Sequence, residues 1–326
     1  MSYTEIINKF KTKKILVIGD LILDHYIWGK VDRISPEAPV PVVEVTRESL
    51  MLGGAANVAH NVVSLGGKAA VVGINGKDIA GKAITDMLEQ KGVDCRGIFL
   101  SNRPTTVKTR VIAHNQQVVR FDREDRKYVE GKTLKGVLDH VNSVYRECDA
   151  IILSDYKKGM ISSQLVKNIL KVTKTPRAGR TGAGRFVAVD PKVGHFHFYR
   201  GVSLITPNVM EASVGSSVEI TDEKSLLKAG SILLKKLGCK AVLITRGEQG
   251  MSLFEKNRVA HIPTVARKVY DVTGAGDAVI SAFTLAHVSG ATMEEAADIA
   301  NHAAGVVVAE VGTAVATPEQ LMESFR

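Results

Sequence analysis

Asp271-Val272-Thr273-Gly274-Ala275-Gly276-Asp277 decides how this chain is read. It lies between a polar segment ending near Tyr270 and the small apolar run Ala278-Val279-Ile280-Ser281-Ala282-Phe283, whose spacing suits a buried helix. Gly274 to Asp277 are therefore expected to form that helix's first turn, where free backbone N–H groups collect. Two glycines let the backbone approach an anion without a Cβ in the way, and the helix dipole adds partial positive charge at the same point. Asp277 is the odd member, because a carboxylate beside an anion hole repels the ligand unless it takes a proton from an attacking hydroxyl. Gly274, Ala275 and Gly276 as anion hole with Asp277 as base are the two parts that phosphoryl transfer to an alcohol needs. Gly and Asp at a helix start are also ordinary capping residues, so the stretch alone supports either reading.

At 326 residues and 45% hydrophobic, the chain can bury one large core or two modest ones. The run Ile15 to Ile18, preceded by Lys9, Lys11, Lys13 and Lys14, is too short for a signal-peptide core or a membrane span. A cytoplasmic protein with no membrane partner is expected. Cys95, Cys148 and Cys239 are far apart with no CxxC pair, which argues against a disulfide framework and a cysteine zinc site. The formal charge of +9, from 43 basic and 34 acidic residues, is scattered instead of forming an aromatic-interleaved stripe. That excludes nucleic acid as the expected partner and favours a small anionic substrate.

Working outward, Lys14 to Ile18 reads as a buried strand ending in a Gly19-Asp20 turn, with Asp24 soon after. In an open α/β sheet the carboxyl ends of strands face the ligand crevice, so Asp24 is a candidate for substrate hydroxyls as well as a turn residue. Ile34 to Val43 carries three prolines, which exclude helix and a central strand and suit an edge strand or a projecting flap. Gly53-Gly54-Ala55-Ala56-Asn57 opens a second glycine-headed helix, running to a stop at Gly66-Gly67, with Asn57 facing the crevice or fixing its own turn. A strand at 69–73, a helix at about 79–91, and extended segments at 105–113 and 117–122 meeting across His114-Asn115 come next. With the proline-rich segment they make a small β flap that carries Arg110 and Arg120, either anion contacts or solvated strand charges.

Regular alternation of helix and strand follows, with strands at 150–153, 186–189, 202–205 and 241–245. Asp155, Lys157 and Lys158 follow one strand end, and Asp190-Pro191-Lys192 another. The Gly- and Arg-rich stretch Thr175 to Arg185 reads as a flexible surface loop without a phosphate-loop spacing. His195 and His197 alternate like a strand face, with no third metal ligand nearby. Asn208 and Glu211 have the spacing of a capping box. Arg246 to Gly250 is a tight turn into a hairpin over 251–262, and the small-residue helix Asn301 to Val308 lets a flat ring lie close to a backbone.

Together these pieces resemble the ribokinase-like carbohydrate kinases, the PfkB family, from the first strand to the C-terminus. GGAAN at Gly53 to Asn57 and DVTGAGD at Asp271 to Asp277 match that family's two signatures, and their separation fits. The resemblance implies an α/β/α sandwich with a mostly parallel central sheet and a small β lid. It implies one kinase domain over 1–326, with lid segments at about 24–48 and 104–122. ATP would lie between C-terminal loops and sugar under the lid. Asp277 then matches the catalytic base; Asp24, Gly53, Gly54 and Asn57 the sugar site; and Asn208 and Glu211 the NxxE motif that organises Mg²⁺, through water, and the ATP phosphates. Thr245, Arg246 and Gly247 fall in the nucleotide loop, Asn301 near the adenine pocket, and Asp271, Thr273 and Gly312 near a monovalent-cation loop suited to K⁺.

Within the family, RISPEAPVPVV at Arg33 to Val43, NQQVVRFD at Asn115 to Asp122, LSDYKKG at Leu153 to Gly159 and LITPN at Leu204 to Asn208 resemble the heptose 7-phosphate kinases specifically. That branch implies ATP-dependent phosphorylation of the anomeric 1-hydroxyl of D-glycero-β-D-manno-heptose 7-phosphate, in ADP-heptose and lipopolysaccharide core synthesis. Arg110, Arg120 and Lys158 are the candidates for the 7-phosphate. An adenylyltransferase, separate or fused, is the implied partner, and a protruding lid with exposed strand edges suggests a homodimer. A kinase for another sugar, or a sensor that kept the pocket without turnover, are the alternatives. The chain departs from the family pattern in a longer stretch at Thr175 to Arg185 and in Glu310, where a basic residue is expected.

Overall fold

The computed structural model describes residues 1–326 apart from 115, 175–183, 267–268 and 311–313. After a short capped helix, α1 (Tyr3–Asn8), comes β1 (Lys14–Gly19), apolar at each position from Ile15 to Ile18. Ile15 and Val17 enter one hydrophobic cluster, Leu16 and Ile18 the other. A strand covered on both faces needs apolar side chains on both, so the sequence reads as a continuous run instead of alternating.

At Asp20 the chain leaves this sheet for β2 (Leu21–Ile34) and β3 (Pro41–Gly54), a long antiparallel pair. It returns through α2 (Ala55–Ser64), β4 (Lys68–Gly76), α3 (Ile79–Gln90) and β5 (Asp94–Ser101). It leaves again for β6 (Thr106–Ala113) and β7 (Gln116–Arg123). The second half is α4 (Gly131–Val144), β8 (Ala150–Ser154), α5 (Ser163–Thr173), β9 (Phe186–Asp190), β10 (Leu204–Ile205), α6 (Val209–Ser216) and α7 (Glu223–Leu237). It ends with β11 (Ala241–Thr245), β12 (Met251–Glu255), β13 (Arg258–Ile262), α8 (Ala275–Val288), α9 (Met293–Val307) and α10 (Pro318–Glu323).

Among the described residues the strands form a nine-stranded sheet, ordered β13-β12-β11-β10-β9-β8-β1-β4-β5, and a four-stranded one, ordered β3-β2-β6-β7. The large sheet is parallel except where β12 pairs antiparallel with β11 and β13. Gly19, Ser154 and Asp190 lie side by side in register, so Asp20, Asp155 and Asp190 all stand at one edge of the sheet. That edge is the crevice of an open α/β sheet.

The small sheet is the lid, and it is wider than the expected segments at 24–48 and 104–122, since β3 runs on to the head of α2. β3 is an edge strand, and the turn over 35–40 absorbs the remaining prolines. Two local readings change. The strand expected at 202–205 is only Leu204–Ile205. His195 and His197 flank Phe196 in a single 3₁₀ turn over Phe196–Phe198, not on a strand: their alternate spacing is also that of a tight helical turn. Asn115, Gly312 and most of the 175–185 stretch lie outside the described residues. At its far end Arg185 is tied down, its Nε donating to the Cys148 carbonyl at 3.1 Å.

Candidate active site

α8 is buried almost all round, from Asp277 to Ala286, and packs against α2 inside one hydrophobic cluster. Gly274 caps it with φ 84°, a left-handed conformation that favours glycine. Ala275 N–H is taken by the Val272 carbonyl at 3.2 Å, which leaves the first-turn amides of Gly276 and Asp277 without a helical partner. A Cβ built on Gly276 meets no atom within 4 Å, so an anion can approach these amides. Of the expected stretch 274–276, the open amide is that of Gly276, with Asp277 N–H next to it.

Asp277 is 3% exposed. Its Oδ2 accepts from Asn57 Nδ2 at 2.7 Å and its Oδ1 from the Tyr156 hydroxyl at 3.0 Å. Burial pushes its carboxyl up from 3.8 to about 6, while the bonds from Asn57 and Tyr156 pull the other way. A buried carboxylate so held is ionised at neutral pH and basic enough to accept a proton.

The Gly53-Gly54 pair has a steric role that spacing does not reveal. A Cβ on Gly53 would strike the Asp24 carboxylate at 2.2 Å, and one on Gly54 the Asp20 carbonyl at 2.4 Å. The glycines let β3 lie against β2 with Asp24 buried on the lid's inner face. Asp24 pairs with Arg110, whose guanidinium lies over the Tyr26 ring.

Asp20 and Tyr156 went unassigned in the sequence. Asp20 is buried and accepts from the backbone amides of Tyr156, Lys158 and Met160 at 2.9 to 3.0 Å, fixing the loop after β8. That loop delivers Tyr156 to Asp277. Burial, with Asp155 nearby, raises the Asp20 carboxyl to about 6. Asp155 is itself satisfied, accepting from Tyr199 at 2.6 Å and lying 2.7 Å from His195 Nδ1, so His195 is a core histidine.

At the start of α6, Asn208 and Glu211 form the capping box in full: Glu211 N donates to Asn208 Oδ1 at 2.9 Å and Asn208 N to Glu211 Oε2 at 3.2 Å. Glu211 is buried, and its Oε1 accepts from Lys192 Nζ at 3.2 Å. Asp190 faces it at the end of β9; desolvation, then the charges of Asp277 and Glu211, hold the Asp190 carboxyl well above the ordinary range. A cation relieves that crowding, so this donor set fits a divalent metal. Among the described residues no three acidic, histidine or cysteine side chains form a ready cage, so such an ion would draw its remaining ligands from phosphate oxygens and water.

Thr245 bridges to Asn208 beside this corner. The Arg246 guanidinium is spent on Ser252, Gln249 and Glu223, and the amides of Thr245 and Arg246 donate to the carbonyls of Pro207 and Gly250. Asn301 Nδ2 donates to the Pro263 carbonyl at 2.7 Å, clamping the segment behind β13. Asp271 Oδ1 accepts from the Thr273 amide and hydroxyl at 2.9 and 2.7 Å, closing its own turn.

Of the candidate phosphate cations, Lys158 pairs with Glu124, and Arg120 with Asp122 at 3.1 Å on a strand exposed throughout. The site brings together Asp24, Asn57, Asp277 and the first-turn amides on one side, and Asn208, Glu211 and Thr245 on the other. Arg120 lies opposite Arg110 in the β6–β7 register, and so beside the residue that pairs with Asp24.

A lidded crevice at the strand ends of a parallel sheet, with a buried carboxylate at a glycine-opened helix start, has the parts that phosphoryl transfer to a small alcohol needs. The chain belongs to the pfkB family of carbohydrate kinases, matching it over residues 12–320, and is an ATP-dependent sugar kinase that uses a divalent metal. It is 44% identical over 314 residues to the bifunctional protein HldE of Helicobacter hepaticus, covering 96% of this chain and 64% of that one. The same-named protein of Citrifermentans bemidjiense is 46% identical over 311 residues, covering 95% and 62%. The chain thus spans less than two thirds of these relatives' length. Among solved structures, Arabidopsis thaliana ribokinase complexed with ribose and ATP superposes with a TM-score of 0.78 at 21% identity, covering 96% of this chain and 99% of that one. Phosphofructokinase-2 of Escherichia coli, in complex with substrates and products, gives 0.78 at 18%, covering 96% and 98%. At these identities the likeness is one of fold. Among the described residues no helix is long and apolar enough to cross a membrane.

Proposed function

We propose that this kinase transfers the γ-phosphate of ATP to the anomeric 1-hydroxyl of D-glycero-β-D-manno-heptose 7-phosphate, forming the 1,7-bisphosphate. The observation that carries the reading is Asp277 itself, a buried carboxylate with its proton affinity raised, beside first-turn amides that can hold a phosphoryl group. Asp277 takes the hydroxyl proton, the amides of Gly276 and Asp277 receive the transferring group, and Asp24 and Asn57 orient the sugar. Asn208 and Glu211 would hold Mg²⁺, which would supply charge neutralisation at the phosphates, and the lid excludes water that otherwise hydrolyses ATP. K⁺ is proposed for the loop of Asp271 and Thr273.

The heptose assignment rests on the four specific stretches at 33–43, 115–122, 153–159 and 204–208, and on relatives described as bifunctional. The same reading gives a cytoplasmic enzyme feeding ADP-heptose and lipopolysaccharide synthesis, with an adenylyltransferase as functional partner. Exposed Val118, Val119 and Phe121 on β7, an edge of the lid, favour a homodimer. A substrate panel scored for ADP release tests the proposal. Heptose 7-phosphate is expected to lead; preference for ribose or a hexose phosphate redirects the assignment within the family, and no release with any sugar favours a sensor.

A further inference from the structure

The lid's inner face holds a cation that none of these roles uses. Lys108 on β6 is the register partner of Asp24 on β2, so its side chain shares the face that carries Asp24, Tyr26 and Arg110. Its ammonium lies over the Tyr156 ring, 5.4 Å from the centroid, and the hydroxyl of that ring is bonded to the base Asp277. The neighbouring cations are already matched with carboxylates: Arg110 with Asp24, Lys158 with Glu124, Arg120 with Asp122. An anion arriving at any of these must compete with a carboxylate already in place. Lys108 makes no ion pair or hydrogen bond with the described residues. Arg47 on the same face also lacks an ion pair, but it stacks on Trp28, four residues further along β2 from Asp24.

We infer that Lys108 selects a phosphorylated acceptor, its ammonium making the decisive contact with the substrate's remote phosphate. The inference rests on the sugar-phosphate reading above and replaces its three candidate anchors with one that is free to bind. A half-buried ammonium with no counter-charge in contact gains most when a dianion arrives, because the ligand supplies the partner that water no longer does. Burial, with Lys158 and Arg110 acting in the same sense, already lowers its pKa against the pull of Asp24 and Asp122, which a bound phosphate reverses. Standing above the ring that touches the base, Lys108 ties one end of the acceptor to the place where the other end reacts. Remote binding there should therefore enter kcat as well as KM.

The test compares kcat/KM for heptose 7-phosphate and for unphosphorylated heptose in the wild type, Lys108→Gln and Lys108→Arg. Thermal unfolding and ATP binding are measured alongside to confirm that each variant is folded. Lys108→Gln is expected to lower kcat/KM for the 7-phosphate on the order of 10- to 100-fold and to shrink the ratio between the two sugars by a similar factor. Lys108→Arg should restore most of that ratio. A folded Lys108→Gln that keeps the wild-type ratio overturns the inference and leaves the sugar-phosphate kinase standing. A wild type that does not distinguish the two sugars overturns the sugar-phosphate reading, and this inference with it.

Discussion

The floor of the crevice and the face of the lid solve opposite electrostatic problems. On the floor, Asp20, Asp277 and Asp190 sit at strand ends and a helix start within the body of the protein, and desolvation raises all three carboxyls. On the lid, Asp24, Asp122 and Glu124 each face a cation, and Lys108 waits without one. The floor is held by packing: Asn57 is fully buried, and Asp20 takes three backbone amides. β7 of the lid, by contrast, is exposed at every residue. Chemistry that needs a proton acceptor at fixed geometry belongs on the rigid part, and recognition that must open and close around an anion belongs on the part with an open face.

The sharpest way to break this contrast is Asp277→Asn. It should lower kcat by roughly 10²-fold or more, the scale of a lost general base, while ATP still binds. It should also stabilise the fold. Because the folded pKa of about 6 lies above 3.8, the folded state holds the extra proton in that window, and stability from this group falls as pH rises through it. At pH 8 the neutral amide avoids that cost, a gain of up to about 3 kcal/mol by linkage, readable as a raised Tm. An active, unstabilised variant contradicts the floor's role.

A smaller effect is expected from pH. Wild-type kcat/KM should rise about tenfold per unit below an apparent pKa near 6 and level off above it, since the base works only when ionised. A profile flat down to pH 5 separates the base from Asp277. Next, Glu211→Ala should move the Mg²⁺ dependence of the rate upward by about tenfold, since its loss leaves the ion less well held. An unchanged titration returns Glu211 to helix capping alone. The smallest shift is on the lid's outer strand: Arg120 is half exposed and paired with Asp122, so Arg120→Ala should reduce turnover of the phosphorylated sugar only about two- to fivefold and leave free heptose untouched.

The same contrast separates what could be read from the sequence from what could not. DVTGAGD and GGAAN are local: a helix start, its glycines and its polar residue lie within a few positions, and both turns form as read. β1 and the strand ends at Asp155 and Asp190 were legible from apolar runs followed by turn residues. The lid's recognition face was not, because it depends on register between strands far apart in sequence. Lys108 faces Asp24 only because β2 and β6 pair in parallel, a choice no stretch of either strand encodes alone. Tyr156 escaped for a similar reason: it reaches Asp277 through a loop held by Asp20, which itself looked like an ordinary turn residue. His195 misled because alternation over three residues cannot separate a strand from a tight turn.

The central claim is that a floor built for proton abstraction is combined with a lid built for a remote phosphate. The most direct test follows ADP release with heptose 7-phosphate and with free heptose on the unmutated protein, and identifies the product by phosphorus NMR. The account predicts strong preference for the 7-phosphate, with a single new resonance from a phosphate on the anomeric carbon. Equal turnover of the two sugars, or a phosphate placed on another hydroxyl, contradicts it.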